Sequence, residues 1–183
     1  MLKKYYPGAY ADSVFDIDYP ALYAKGYRGI IFDVDSTLVP HGADSTPAVD
    51  ALFREIRAAG LKTILLTNND EERVLRFIRN IDTLYLCDAN KPDPAGYLKA
   101  VRMLGVKKSE TVYIGDQLFI DIVGANNAGI DSILVHYILH EGETRLGIKR
   151  NLEKPVLRCY RRSKYYNRIG CFVKEKHPTE GSI

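Results

Sequence analysis

The sequence predicts an α/β fold, one parallel sheet with helices on both faces. Three observations carry that expectation. Short apolar runs recur at 28–33, 61–66, 84–87, 111–115 and 132–135, the first of them largely β-branched. Stretches between them place apolar residues at helical spacing, as Val49, Leu52, Phe53 and Ile56 do. Polar residues gather directly after the apolar runs, and in open α/β sheets the carboxyl ends of the strands are where ligands sit.

Each element has its own local reason. Residues 1–17 are aromatic and irregular, with Tyr5, Tyr6, Tyr10 and Phe15, and are expected to pack across the sheet edge. A short helix spans 20–25, with Pro20 in its first turn and Gly26 at its end. The first strand follows at 28–33. Thr46 and Pro47 supply an N-cap and a first helical position, and Gly60 stops that helix. The second strand, 61–66, runs into Thr67-Asn68-Asn69, and Asn69 with Glu72 has capping-box spacing. The helix so opened carries Val74, Phe77, Ile78 and Ile81. A third strand covers 84–87. Asp93-Pro94 opens a helix with Tyr97, Leu98, Val101 and Leu104 inward, and Gly105 follows it. The fourth strand, 111–115, is closed by Asp116. Residues 117–128 read as helix ended by Gly129, and 132–135 as the fifth strand. Beyond it, Leu146, Leu152, Val156, Leu157 and Tyr160 stand among basic residues with Pro155 between, which predicts one or two basic amphipathic helices over 143–162. Residues 177–183 are expected to fray.

Composition narrows the class. A chain of 183 residues suits one domain of ordinary size, taken as 1–140 with a basic, partly helical tail at 141–183. Three cysteines, widely spaced and without a Cys-x-x-Cys pair, argue against a disulfide framework or a zinc site and fit a reducing cytoplasm. The longest stretch free of Asp, Glu, Lys and Arg is nine residues, where a membrane span needs about twenty. Such a chain does not span a bilayer but is free to lie on one. Residues 145–176 hold eleven basic and two acidic side chains, a charge of +9 that leaves −6 on the rest. A basic tail on an acidic body points to an anionic partner.

The chemistry concentrates at the strand ends. Asp33 and Asp35 follow the first strand, and carboxylates are costly to bury unpaired. Thr67 and Asn68 follow the second, Lys91 comes after the third, and Asp116 and Asp121 come after the fourth. In this order FDVDST, LLTNN, ANKPDP and IGDQLFID resemble the four motifs of the haloacid dehalogenase-like (HAD) phosphohydrolases. The likeness covers 28–135. It implies a Rossmann-like HAD fold and hydrolysis of a phosphate monoester. It also implies Mg²⁺ held by the carboxylates of Asp33 and Asp116 and the main-chain carbonyl of Asp35, with Asp121 supporting. By the same likeness Asp33 is the nucleophile that forms an aspartyl-phosphate and Asp35 the acid and base. Thr67, Asn68 and Lys91 bind the phosphoryl group, Asn68 through its main-chain N–H.

Caps decide substrate size among HAD enzymes. Asp33 lies 34 positions before Thr67, and Thr67 lies 24 before Lys91. A helix and a strand fill each gap, so no cap domain is expected, only a flap at 39–45. An open site favours a substrate whose bulk stays outside. The segments YPGAYADSVFDIDYPALYAKGYRGIIFDVDSTLVP and GDQLFIDIVGANNAG narrow the likeness to YqeG-type HAD phosphatases, relatives of phosphatidylglycerophosphate phosphatases. That implies an anionic phospholipid headgroup as substrate and a cytoplasmic protein touching the inner membrane face through its basic tail. A phosphatase for a soluble sugar or nucleotide phosphate is the first alternative. A HAD module that binds RNA or a ribonucleoprotein is the second. Ser36 departs from the pattern, where Asn is expected before the Thr.

Overall fold

The computed structural model describes residues 2–143 and 148–174. Six strands are present among them: β1 (Ala9–Ala11), β2 (Gly29–Phe32), β3 (Lys62–Leu66), β4 (Leu84–Leu86), β5 (Thr111–Gly115) and β6 (Asp131–Val135). They form one sheet in the order β1-β6-β5-β2-β3-β4, with every pairing parallel. The helices are α1 (Tyr19–Lys25), α2 (Pro47–Ala58), α3 (Glu71–Phe77), α4 (Pro94–Leu104), α5 (Val123–Ala128) and α6 (Ile148–Arg161).

The sheet divides the core as period-2 alternation dictates. Ile30 and Phe32 of β2 face one way and pack with Leu22 of α1, Phe53 and Ile56 of α2 and Val74 and Phe77 of α3. Ile31 faces the other way and packs with Tyr97, Ala100 and Leu104 of α4 and Ala125 and Ala128 of α5. All residues of β2 and β5 are buried, as expected of strands covered on both faces. Gly124 lets α5 approach α4, because a Cβ there would collide with the Tyr97 ring.

Two local expectations are corrected, and a third is narrowed. The N-cap of α3 is Asp70, whose Oδ1 accepts from the Arg73 N–H at 2.9 Å, so Asn69 and Glu72 form no capping box. The Asn69 side chain is engaged elsewhere. The helix over 117–128 starts as a wide π-type turn, Leu118–Ile122, before α5 takes over. Of the one or two basic helices expected over 143–162, the described residues hold one, and Pro155 does not divide it. The proline lies inside α6, and the exposed Asn151 one turn earlier leaves the unbonded carbonyl open to solvent. The expectation of fraying at 177–183 falls outside the described residues.

Residues 2–18 do pack on the sheet edge, and they extend it. Ala9, Tyr10 and Ala11 pair with Ile133, Leu134 and Val135 of β6. A three-residue strand carries no periodic signal, which is why local sequence does not announce it. Residues 167–174 then hold this edge in place. The Tyr10 N–H donates to Asn167 Oδ1 at 3.0 Å, the Asp18 N–H to the Phe172 carbonyl at 2.8 Å, and the Lys174 N–H to the Asp16 carbonyl at 2.7 Å. Tyr160, Ile169 and Phe172 are buried. The basic segment therefore contributes to the core, however its charges are used.

Candidate active site

The carboxyl ends of β2, β3 and β5 converge on one cluster. Asp33 follows β2, Thr67 follows β3, Asp116 follows β5, and Asp121 lies in the π-type turn after it. Carboxylate oxygens of Asp33, Asp116 and Asp121 lie within 4.8 Å of one another, and all three residues are buried. Three like charges at that distance need compensation. Lys91 supplies part of it. Its Nζ donates to Asp33 Oδ1 at 2.6 Å, to Asp121 Oδ1 at 2.9 Å and to the Tyr113 hydroxyl at 3.0 Å. The Tyr113 hydroxyl donates to Asp121 Oδ1 at 2.7 Å, and the Gln117 N–H to Asp121 Oδ2 at 2.9 Å. Thr37 Oγ1 stands 3.1 Å from Asp33 Oδ2 and 3.0 Å from Asp116 Oδ1, so its one proton serves either carboxylate.

Burial dominates the titration of Asp33 and Asp116. It pushes the Asp33 carboxyl up to about 6, against the pull of Lys91. It pushes Asp116 up to about 8, helped by the charges on Asp121 and Asp33 and opposed by Arg150. For Lys91 burial works to lower the value, but Asp121 and Asp33 outweigh it and the ammonium is held more firmly than usual. The set is rich in hard oxygen donors with negative charge in excess, three carboxylates against two cations. That is the donor chemistry of a divalent-cation site.

Asp35 stands outside this trio. Its carboxylate accepts from the Gly42 N–H at 2.9 Å, from Asn69 Nδ2 at 2.5 Å and from Arg73 Nη2 at 2.9 Å. Burial works against its charge, but these three donors outweigh it and keep the carboxyl below its ordinary value. Arg73 also donates to the Ala43 carbonyl at 2.7 Å. One turn on, Arg76 donates to Asp44 at 2.6 Å and to the Gly42 carbonyl at 3.1 Å. Two arginines of α3 thus pin the flap over Asp35. Ser36, between Asp35 and Thr37, has φ 64°, a left-handed conformation that Asn adopts more readily than Ser. That gives the departure at this position a physical cost.

The remaining expected residues line one cleft of about 170 Å³ with Asp33, Asp35 and Lys91. Thr67 is buried there, and its Oγ1 accepts from the Asn69 N–H at 3.2 Å. The Asn68 side chain is turned to Lys91, accepting from its N–H at 2.7 Å and donating to its carbonyl at 3.2 Å. It thereby fixes the backbone from which the Lys91 ammonium extends. His41 lies at the cleft mouth, exposed, 3.7 Å from Asp35. Asp121, readable from sequence as a helix-surface residue, is fully buried.

Five contributors are not among the expected site residues: Thr37, Asn69, Arg73, Tyr113 and Arg150. Thr37 had a signal, being four residues after Asp33. Tyr113 faces the site from β5 by alternation. Arg150 had none. It reaches over from α6, donates to the Asp116 carbonyl at 2.6 Å and forms an ion pair with the Asp116 carboxylate. Glu153, on the same helix, accepts from the Leu118 N–H at 2.8 Å and pairs with Arg150 at 3.3 Å.

The chain is similar to known proteins. A family model described as haloacid dehalogenase-like hydrolase matches residues 43–129. The chain is 32% identical over 164 residues to "Probable phosphatase YqeG" of Bacillus subtilis, a match covering 88% of this chain and 95% of that protein. It is 26% identical over 149 residues to "Phosphatidylglycerophosphate phosphatase 1, chloroplastic" of Chlamydomonas reinhardtii, covering 75% of this chain and 55% of that one. A crystal structure of an uncharacterized protein from Listeria monocytogenes serotype 4b superposes with a TM-score of 0.51 at 19% identity, over 73% of this chain and 99% of that one, which speaks for the fold alone.

Proposed function

Because this chain belongs to the haloacid dehalogenase-like hydrolases, as a YqeG-type phosphatase, we propose that it hydrolyses phosphatidylglycerophosphate to phosphatidylglycerol and phosphate. The observation that carries this reading is the Asp33–Lys91 pair, buried at the bottom of a small open cleft. A cleft of about 170 Å³ suits a phosphoryl group and leaves the rest of the ester outside. A lipid headgroup presented by a bilayer is such an ester. The activity named for the Chlamydomonas relative supports the same substrate.

The residues divide the work as follows. The Asp33 carboxylate attacks phosphorus, the ester oxygen leaves, and an aspartyl-phosphate forms. Lys91 and the Thr67 hydroxyl hold the phosphoryl oxygens, and Tyr113 with Asp121 keeps Lys91 charged and aimed. Asp35 gives its proton to the departing oxygen. It then takes one from the water that attacks the aspartyl-phosphate, which releases phosphate and restores Asp33. In the arrangement seen, Arg73, Asn69 and the Gly42 N–H favour the ionised form of Asp35. The base half is therefore prepared, and the acid half requires these donors to yield when substrate enters. The carboxylates of Asp33 and Asp116, with the Asp35 carbonyl, would hold Mg²⁺, which supplies positive charge against the phosphoryl oxygens. Asp121 supports the set from beside Lys91.

No helix of the described residues is long and apolar enough to cross a membrane. We place the protein in the cytoplasm, working at the inner membrane face, with residues 1–140 as the catalytic domain and the basic segment as its membrane contact. The test is phosphate release by purified protein from phosphatidylglycerophosphate in mixed micelles, beside a panel of sugar and nucleotide phosphates. The expected result is preference for the lipid ester, loss on chelation and recovery with Mg²⁺. A sugar or nucleotide phosphate turned over faster than the lipid would overturn the substrate. Full activity after exhaustive chelation would remove Mg²⁺.

A further inference from the structure

A second cavity, of about 470 Å³, opens at the same edge of the sheet, on the far side of Asp116 from Asp33. Its volume lies within the range of about 300–1,000 Å³ usual for small-ligand sites. Leu134 and Val135 of β6 and Leu157 of α6 make it apolar inside. Five basic residues border it: Arg150, Lys154, Arg158, Arg161 and Arg162. Positions 150, 154, 157, 158 and 161 fall on one face of a helix by their spacing, so the charged stripe of α6 looks into a cavity. The two acidic residues of the lining, Asp116 and Glu153, are both paired with Arg150. Among the described residues no carboxylate lies in ion-pair range of Lys154, Arg158, Arg161 or Arg162.

An apolar interior under a basic rim selects a ligand that is anionic at one end and hydrocarbon at the other. Nucleic acid fits less well, because the rings needed for base stacking are taken. Arg161 lies over the Tyr10 ring at 5.4 Å. Tyr137 has Arg150 over it at 4.8 Å and His136 stacked on it at 4.4 Å.

We propose that this cavity binds the phosphodiester and the first chain methylenes of an anionic phospholipid. Arg158 and Arg161 meet the phosphate, and Leu134, Val135 and Leu157 meet the chain. The site is separate from the cleft of Asp33 and holds the protein on a lipid while that cleft works. The choice of a lipid rests on the phosphatase reading above, and the charge and the apolar lining support it independently.

The test titrates the full chain with dihexanoyl-phosphatidylglycerol below its micelle concentration, followed by calorimetry. This lipid has no phosphate monoester, so binding is read without turnover. Dihexanoyl-phosphatidylcholine and inorganic phosphate are the comparison ligands. Phosphatidylglycerol is expected to bind at least tenfold more tightly than either. Arg158→Gln with Arg161→Gln should weaken it at least tenfold while p-nitrophenyl phosphate turnover stays unchanged. Leu157→Ala, which keeps every charge, should weaken phosphatidylglycerol and leave inorganic phosphate alone. Wild-type affinity in the double arginine variant would overturn the proposal, as would inorganic phosphate binding as tightly as the lipid. Displacement of the lipid by an RNA oligonucleotide at equal concentration would also overturn it. Binding of phosphatidylglycerol by a protein that leaves phosphatidylglycerophosphate intact would uphold this site and defeat the substrate proposed above. Turnover without binding would do the reverse.

Discussion

Asp33 and Asp116 end neighbouring strands and share one carboxylate cluster, yet their counter-ions come from different parts of the molecule. Lys91 reaches Asp33 from the loop after β4, within the sheet-and-helix body, and its side chain is 4% exposed. Arg150 reaches Asp116 from α6, and its side chain is 15% exposed. Lys91 also satisfies Asp121 and is fixed through its backbone by Asn68. Arg150 is shared with Glu153 and borders the second cavity. One cation is built into the reacting centre, and the other is lent by a segment that the sequence presents as an appendage. The same charge at the same kind of strand end can be a fixed part of a mechanism or a movable neighbour, and burial with the number of partners separates the two.

The comparison can be broken most severely by removing the lender. A chain ending at Gly142 loses Tyr160, Ile169 and Phe172 from the core and uncovers β1, and it is expected to lose cooperative unfolding by circular dichroism. A sharp transition in that shortened chain would show that the segment is dispensable for folding. Asp33→Asn keeps the shape of the site, removes the nucleophile and should lower turnover by about a thousandfold or more. Near-wild-type phosphate release would remove Asp33 from its proposed role.

Exchanging the two cations sharpens the contrast. Lys91→Met leaves Asp33 and Asp121 buried without their partner and should cost about 3 kcal/mol in urea unfolding, in the range for broken buried pairs. Its turnover should fall with that of Asp33→Asn. Arg150→Met, with a side chain more exposed than that of Lys91, should cost less than Lys91→Met does and spare most of the turnover. Equal losses from the two variants would refute the distinction. The smallest effect belongs to Ser36, in the turn after β2. A left-handed residue other than glycine costs roughly 1–2 kcal/mol, and Ser36→Asn should recover about half of the lower figure. A thermal midpoint unchanged or lowered would mean that the Ser36 hydroxyl contributes something Asn cannot replace.

The difference between the cations also marks how far the sequence is legible. Asp33, Thr67, Lys91, Asp116 and Asp121 can be picked out because a parallel sheet carries its polar residues at the strand ends, and local pattern locates those ends. The alternation of Ile30, Ile31 and Phe32 gives the two core faces in the same way. Arg73 and Arg150 cannot be picked out. Each looks like an ordinary helix-surface arginine until tertiary packing brings it to Asp35 or Asp116. Asn69 misled for a related reason. Its type and spacing suit a cap, but Asp70 next to it does that work, which leaves the amide free to reach Asp35. Strand β1 was hidden because its stability comes wholly from its neighbours.

That edge strand has a kinetic consequence. Tyr10 is tied to Asn167 across 157 positions, and β1 meets β6 across more than a hundred. Closing loops of that length is entropically slow to reward, so such contacts are expected to form after the central strands have paired. On a ribosome the partners of residues 9–18 are among the later segments to emerge, and this edge waits for them. Contacts absent from the folding transition state govern the rate of unfolding, not of folding. Asn167→Ala should therefore speed unfolding in stopped-flow denaturant jumps and leave the refolding limb almost unmoved, while a matching loss on the refolding limb would place this clasp in the folding nucleus.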